Sequence, residues 1–274
     1  MRDFSALPTR LLAALVGLSL FAAAVLPSWP AVTVVFFALI GGRGAYEASR
    51  LLDPALSRVA AWGTGTACAG ATVAVSIRWP FFPAFLLLPL VVQGAFHLME
   101  RGPDEAGKGI AGVGGISLVL ALGMGLLCRH RIEAAGFFPV LIPFFICWLG
   151  DTAAYFTGCA FGRHKLLPRV SPNKSWEGFF AGLVGSMAGA MVAGHLAAGL
   201  PAWEMAVLGL AGGLVAVVGD LIESALKRDA GVKDSGKLLP GHGGVLDRFD
   251  SAVAVAPLTW VWLVADGLLG GGAV

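Results

Sequence analysis

Charged residues are scarce in this sequence. Asp, Glu, Lys and Arg together make up 13% of its 274 residues, whereas hydrophobic residues make up 57%. Soluble domains average about 25% charged residues, so this chain has too few polar groups to cover a surface that faces water. The composition therefore excludes a soluble enzyme, a nucleic-acid-binding protein and a disordered tail, and it predicts a protein embedded in lipid.

Several common types of site are also missing from the sequence. The four cysteines include no Cys-x-x-Cys pair, so neither a disulfide nor a zinc site is indicated, and we expect all four to be buried as small hydrophobic side chains. Two charged loops, 159–177 and 227–250, contain neither a Walker A motif nor Gly-x-Gly-x-x-Gly. A Ser-His-Asp or Cys-His set, which would indicate nucleophilic catalysis, is not found either.

Nine mostly apolar segments account for most of the chain, and each is close to the roughly 20 residues that a membrane-spanning helix needs. They predict an all-α, polytopic integral membrane protein with about nine transmembrane helices. We expect one transmembrane domain over 1–274, with N-terminal membrane helices in 1–133 and catalytic membrane helices in 134–274. The segments lie at about 11–27, 29–47, 59–77, 81–99, 110–128, 134–158, 178–200, 203–226 and 251–271.

The distribution of Lys and Arg predicts the orientation of these spans. With the N-terminus in the cytoplasm, 16 of the 19 Lys and Arg residues fall in cytoplasmic loops, and only Arg78, Arg129 and Arg131 fall outside. Cytoplasmic loops of membrane proteins collect positive charge, so we expect a cytoplasmic N-terminus. Loops 159–177 and 227–250 are then both cytoplasmic, and as the most charged parts of the chain they are expected to carry function.

Carboxylates at the inner ends of two predicted spans indicate a functional site. Asp151 ends the main apolar run of the sixth span and Asp220 that of the eighth, and ionisable groups within spans are costly and usually functional. On a helix, Asp220 shares a face with Glu223, Ser224 and Lys227. One interpretation is a Glu223–Lys227 pair that closes the helix. The other is a carboxylate for a cation, next to a hydroxyl and a cation for phosphate.

The loop that follows combines glycines, cations and carboxylates. Asp247 and Asp250 are three residues apart and can share a helical face, and hard carboxylate oxygens suit Mg²⁺. Lys and Arg side chains of the same loop can neutralise phosphates. This combination points to phosphoryl or nucleotidyl transfer that relies on a metal ion and on positioning.

The stretch GDLIESALKRDAGVKDSGKLLPGHGGVLDRFDS (219–251) closely resembles the signature of the bacterial phosphatidate cytidylyltransferases, also called CDP-diacylglycerol synthases. Their pattern S-x-x-K-R-x-x-x-x-K-D-x-x-x-x-[LIF]-P-G-H-G-G-x-x-D-R-x-D is met from Ser224 to Asp250. A second stretch, 150–178, resembles the family's upstream block, which usually reads S-P-K-K-T-x-E-G. Asn173 stands here in place of the first lysine, so Lys174 is the better candidate for a phosphate ligand.

The resemblance implies the reaction of CTP with phosphatidate to give CDP-diacylglycerol and pyrophosphate, with Mg²⁺ as the cofactor and K⁺ as a candidate second cation. A phosphate oxygen of phosphatidate would attack the α-phosphorus of CTP, and no protein nucleophile is needed. The resemblance assigns metal binding to Asp220 and Asp247, and Asp151 and Asp250 are expected to be further metal-binding or supporting carboxylates. It further implies that Asp220, Asp247, Lys227, Arg228 and Arg248 are catalytic and that Lys174, Ser224, Lys233 and His242 bind substrate.

The expected partners are CTP and phosphatidate within the membrane, with no nucleic acid, and the family also suggests a homodimer. We expect a bacterial inner membrane protein with its active site at the cytoplasmic face. One alternative is a CTP-dependent polyprenol or lipid kinase, which would attack the γ-phosphorus. Another is a cation-coupled transporter that uses Asp151 and Asp220, although no internal repeat of the kind such folds show is visible.

Overall fold

The computed structural model describes residues 7–134, 136–236, 238 and 243–267. Nine long α-helices lie among these residues, and each overlaps one of the nine predicted apolar segments. A short π-helical segment, Gly107–Gly112, precedes the fifth. The helices are α1 Leu7–Val25, α2 Pro30–Leu52, α3 Arg58–Ser76, α4 Phe82–Arg101, α5 Val113–Glu133, α6 Phe138–Phe161, α7 Trp176–Ala198, α8 Ala202–Asp229 and α9 Leu246–Ala265.

Within the described residues, six helical segments are long and apolar enough to cross a membrane: Pro30–Leu52, Phe82–Arg101, Gly107–Glu133, Phe138–Phe161, Trp176–Ala197 and Ala202–Asp229. Helix α9 is not one of these six, and it begins with three charged residues within five positions. The chain is thus a multi-pass membrane protein. The number of nine crossings and the cytoplasmic N-terminus stay predictions.

Local sequence explains several helix boundaries. Ser57 and Ser175 are N-caps whose hydroxyls each accept a hydrogen bond, at 3.1 Å, from a backbone N–H in the first turn of α3 or α7. Pro30 begins α2, where its missing N–H and fixed φ are tolerated. Gly199 follows the last residue of α7 with a φ of +65°, the left-handed conformation that often ends a helix.

The connection between α6 and α7 contains a small antiparallel hairpin, which the all-α prediction did not include. Strand β1, Lys165–Leu167, pairs with strand β2, Ser171–Ser175. The turn places Pro168 directly after Leu167, and the Val170 N–H donates to the Leu167 carbonyl at 3.1 Å. Proline favours the second position of such a turn. Predicted loop 159–177 is therefore ordered: it comprises the end of α6, this hairpin and the start of α7.

Contacts between backbones divide the chain into two compact units. The first unit comprises Met1–Cys128 and Ala230–Phe249, and the second comprises Arg129–Asp229 and Asp250–Val274. Most of predicted loop 227–250 therefore belongs to the first unit, with the N-terminal helices. The organisation as one transmembrane domain stays a prediction.

Glycines allow close helix packing in the second unit, at positions 182, 185, 189, 209, 212 and 213. A Cβ atom added to Gly185 would lie 2.5 Å from the Leu149 carbonyl oxygen of α6, and one added to Gly209 would lie 2.6 Å from the Met187 Cα of α7. Only a residue without a side chain permits such backbone approaches. The interfaces of α7 with α6 and with α8 thus depend on these glycines.

The prediction for the cysteines is confirmed at three positions and wrong at the fourth. Cys68, Cys128 and Cys147 are buried, whereas Cys159 is exposed. Cys159 lies near the end of α6 on the same face as Phe156, which is also exposed. It therefore occupies an outward-facing position of the helix.

Candidate active site

Three carboxylates come together in the second unit. Asp220 and Glu223 lie one turn apart on α8, and Asp250 lies in the second turn of α9. One oxygen of each side chain lies within 4.8 Å of the others. At Gly219 the two helices approach closely, since a Cβ atom there would lie 3.0 Å from the Ala254 Cβ. The close approach of α8 and α9 brings Asp250 to the two carboxylates of α8.

Asp220 contacts two residues that were expected to bind substrate, Lys174 and Ser224. The Lys174 ammonium of β2 forms an ion pair with Asp220 Oδ2. The Ser224 hydroxyl, one turn further along α8, donates to Asp220 Oδ1 at 3.3 Å. Lys174 and Asp220 are 28% and 30% exposed, so both side chains are accessible to a ligand.

Glu223 and Lys227 form the helical pair that the sequence suggested as one interpretation. The Lys227 ammonium donates to Glu223 Oε2 at 2.8 Å, and both side chains are nearly buried. The contacts confirm the Glu223–Lys227 pair, and the cation-binding interpretation stays a prediction. Glu223 pairs with Lys227, and it also lies in the carboxylate group with Asp220.

The composition of this group fits a divalent cation with a preference for oxygen. When all are ionised, Asp220, Glu223 and Asp250 carry three negative charges, against two positive charges on Lys174 and Lys227. Mg²⁺ binds carboxylate oxygens and usually keeps several water ligands, which a group spread over 4.8 Å accommodates. Glu223 is a candidate ligand that sequence reasoning treated only as a partner of Lys227.

Asp247 belongs to the first unit, where its carboxylate holds the loop that precedes α9. Asp247 Oδ2 accepts hydrogen bonds from the Ser235 N–H at 2.9 Å, the Ser235 hydroxyl at 2.9 Å and the Gly244 N–H at 2.7 Å. Gly243, with a φ of +80°, forms the turn that allows this arrangement. Asp247 thus organises its own loop, and its predicted role as a metal ligand stays a prediction.

Glu47 of α2 is a candidate functional residue that sequence reasoning missed. Its side chain is 1% exposed, and its Oε2 accepts a hydrogen bond from the Leu246 N–H at 3.0 Å. Arg43, one turn earlier on α2, donates to Glu47 Oε1 at 3.1 Å. Glu47 lies at the inner end of a predicted span, as Asp151 and Asp220 do, so the rule that singled them out also applies to it.

Of the remaining predicted site residues, four are exposed and the fifth lies outside the described residues. Asp151 is exposed in α6. Arg228 is exposed in the last turn of α8, Lys233 is exposed in the loop, and Arg248 is exposed in the first turn of α9. His242 lies outside the described residues. The metal-binding role expected for Asp151 and the catalytic or substrate-binding roles expected for the other four stay predictions.

The base of the hairpin is held by a further acidic residue, Glu177. Glu177, in the first turn of α7, accepts a hydrogen bond from His164 Nδ1 at 2.7 Å and lies 3.3 Å from the His164 backbone nitrogen. Since His164 precedes β1, this contact ties both ends of the hairpin to the start of α7. It fixes the strand that carries Lys174.

Comparisons with known proteins give a consistent result. The sequence model described as "Cytidylyltransferase family" matches residues 8–265. A phosphatidate cytidylyltransferase of Brucella suis biovar 1 (strain 1330) is 41% identical over 185 residues, which cover 65% of this chain and 66% of that protein. A phosphatidate cytidylyltransferase of Staphylococcus saprophyticus is 40% identical over 144 residues, covering 52% of this chain and 55% of that protein.

The matched segments thus span between about half and two thirds of these relatives. The family match is more extensive, since it includes all nine helices apart from the first residue of α1. It also includes the carboxylates of both units. The chain belongs to the cytidylyltransferase family.

Proposed function

We propose that this chain is a phosphatidate cytidylyltransferase, which converts CTP and phosphatidate to CDP-diacylglycerol and pyrophosphate. The observation that carries the proposal is the grouping of Asp220, Glu223 and Asp250 with two lysines in a membrane protein of the cytidylyltransferase family. Such a site suits two substrates that are both phosphates, one of them a lipid. The names of the relatives from Brucella and Staphylococcus support the same activity.

The three grouped carboxylates would hold Mg²⁺, with K⁺ as a further candidate cation. Bound there, Mg²⁺ would supply charge neutralisation to the phosphate oxygens and to the leaving pyrophosphate. Asp220 is oriented for this role by the Ser224 hydroxyl, and Glu223 by Lys227. Partners of this kind commonly fix the orientation of a metal-binding carboxylate.

The lysines and arginines would position the substrates. Lys174 and Lys227 already lie next to carboxylates, so each can contact a phosphate close to the ion. Arg228, Lys233 and Arg248 are exposed and would bind further phosphate oxygens. In the reaction, an oxygen of the phosphatidate monoester forms a bond to the α-phosphorus of CTP while the bond to the pyrophosphate oxygen breaks. A monoester dianion has no proton to lose, so no general base is required.

The location of the group is compatible with a lipid substrate. Asp220 and Glu223 lie near the end of α8, a helix long and apolar enough to span a membrane. A site at the end of a span can meet a lipid headgroup and a water-soluble nucleotide. We place this end at the cytoplasmic face of a bacterial inner membrane, following the distribution of Lys and Arg, and we retain a homodimer as a prediction.

Transfer of label from CTP tests the reaction. The purified chain in detergent is incubated with phosphatidate, Mg²⁺ and CTP labelled at either the α- or the γ-phosphate. We expect label from the α-position in the lipid product, together with release of pyrophosphate. Label from the γ-position would instead indicate a lipid kinase. Absence of both, in protein with an intact melting transition, would overturn the proposed function.

A further inference from the structure

The buried carboxylate of Glu47 joins α2 to the start of α9. Its Oε2 accepts the Leu246 N–H at 3.0 Å and lies 3.4 Å from the Ser235 hydroxyl, while its Oε1 accepts the Arg43 Nε–H at 3.1 Å. Both carboxylate oxygens are therefore engaged. A carboxylate that is 1% exposed is costly unless it is paired and hydrogen-bonded. The contact with Leu246, which is 199 residues away in sequence, is thus a strong constraint on the fold.

Two glycines of the loop leave room for this carboxylate. A Cβ atom added to Gly236 would lie 2.7 Å from Glu47 Oε1, and one added to Gly244 would collide with Glu47 Oε2. Larger residues at either position would displace the Glu47 side chain or the loop. The glutamate on α2 and the two glycines in the loop therefore fit one another.

Asp247 holds the same loop through contacts with Ser235 and Gly244. It accepts the backbone N–H groups of Ser235 and Gly244 and lies 2.9 Å from the Ser235 hydroxyl. A serine hydroxyl has a single proton, and the shorter distance, 2.9 Å against 3.4 Å, favours donation to Asp247 over donation to Glu47. Glu47 thus fixes the backbone at Leu246, and Asp247, the next residue, fixes the loop around Ser235.

We propose that Glu47 is a positioning residue for cytidylyl transfer: by holding the Leu246 N–H, it sets the orientation of the next two residues, Asp247 and Arg248. The inference rests on the proposed function, in which Arg248 binds phosphate oxygens, and on the sequence-based prediction that Asp247 is catalytic. In this role Glu47 itself contacts no substrate. Misplacement of a reacting group by about 1 Å is enough to lower a rate about 100-fold.

Kinetics of Glu47 variants test the proposal. Glu47→Ala removes both contacts, and we expect kcat to fall about 100-fold, with little change in the KM for CTP. Glu47→Gln retains one oxygen for the Leu246 N–H, so we expect it to recover part of the lost kcat. Equal kcat values for Glu47→Ala and the unmodified enzyme would overturn the proposal.

Two matched variants separate positioning from loss of charge. Glu105→Gln removes the same charge from the first unit, where Glu105 also pairs with an arginine one turn away at 3.2 Å but is 60% exposed. We expect it to keep full activity. Arg43→Gln removes only the partner of Glu47 Oε1. If Arg43→Gln lowered kcat as much as Glu47→Ala, the ion pair rather than the Leu246 contact would be responsible, and the proposal would be wrong.

Hydrogen exchange measures the positioning directly and does not depend on activity. We expect the Leu246 amide to exchange slowly in the unmodified chain and much faster in Glu47→Ala, with Glu47→Gln between the two because it keeps an acceptor oxygen. Fast exchange at Leu246 in the unmodified chain would overturn the proposal even if a variant failed to fold. If the chain transferred no cytidylyl group, the proposed function would fall, while slow exchange would still support the anchoring contact.

Discussion

Lys174 of β2 and Asp220 of α8 form an ion pair across 46 residues of sequence. The pair connects the charged hairpin to the helix that carries two of the three grouped carboxylates. It also explains how the chain accommodates Asn173. At this position the family that the sequence resembles usually has the first of two lysines. Asn173 is exposed, and the neighbouring Lys174 makes the contact with the carboxylate.

Replacing Asp220 should abolish catalysis without unfolding the protein. Asp220→Asn removes a carboxylate from the grouped three and the partner of Lys174. We expect CDP-lipid formation to fall by at least about 100-fold, as for the loss of one preorganised electrostatic group in an active site. The measurement is transfer of α-labelled CTP to lipid. The control is Asp266→Asn, because Asp266 is exposed just after the end of α9. Near-normal activity of Asp220→Asn would contradict the metal assignment.

Glu223 and Asp250 should determine how much Mg²⁺ the enzyme needs. Their oxygens lie with that of Asp220 within 4.8 Å, so Glu223→Gln or Asp250→Asn weakens the oxygen group that would hold the ion. We expect the Mg²⁺ concentration for half-maximal activity to rise at least about tenfold, and EDTA to abolish activity in the unmodified chain. The titration is made at saturating CTP and phosphatidate.

Glu204→Gln is the matched control for the Mg²⁺ titration. Glu204 lies in the first turn of the same helix, α8, whereas Glu223 lies near its end. Its replacement should leave the Mg²⁺ requirement unchanged. If Glu223 served only to pair with Lys227, Glu223→Gln would change the Mg²⁺ requirement as little as Glu204→Gln does.

Contacts that are local in sequence were predictable, and those between distant segments were not. Apolar segments located all nine helices, and the i, i+4 spacing indicated the Glu223–Lys227 pair. The family resemblance also supplied Asp220 and Asp250. By contrast, the pairing of Lys174 with Asp220 depends on a hairpin with a strand of only three residues, which carries little periodicity. The Glu47–Leu246 contact joins segments whose proximity only the fold defines.

The packing of α7 against α6 should be disturbed even by an alanine in place of one of the α7 glycines. Gly185→Ala would place a Cβ atom 2.5 Å from the Leu149 carbonyl oxygen, so α6 and α7 would have to separate. We expect a loss of about 1–3 kcal/mol in the free energy of unfolding, as for overpacking.

Gly70→Ala in α3 is the control, since a Cβ atom there has nothing within 4 Å. It should stabilise its helix by about 0.5–1 kcal/mol. Thermal unfolding in detergent compares the two, and equal melting temperatures would show that the interface is not tightly packed.

The exposed Cys159 provides a test of the predicted orientation. Three of the four cysteines are buried, so a membrane-impermeant maleimide should label the folded protein at Cys159. Cys159 lies at the start of loop 159–177, which the distribution of Lys and Arg places in the cytoplasm. We therefore expect labelling in inside-out vesicles and none in intact spheroplasts.

The double variant Cys159→Ser, Ser28→Cys is the control. It moves the thiol to the exposed position between α1 and α2, which is predicted to lie outside, so it should show the reverse pattern. Labelling of Cys159 in spheroplasts would place the hairpin, and with it Lys174, on the outer side, where cytoplasmic CTP is out of reach.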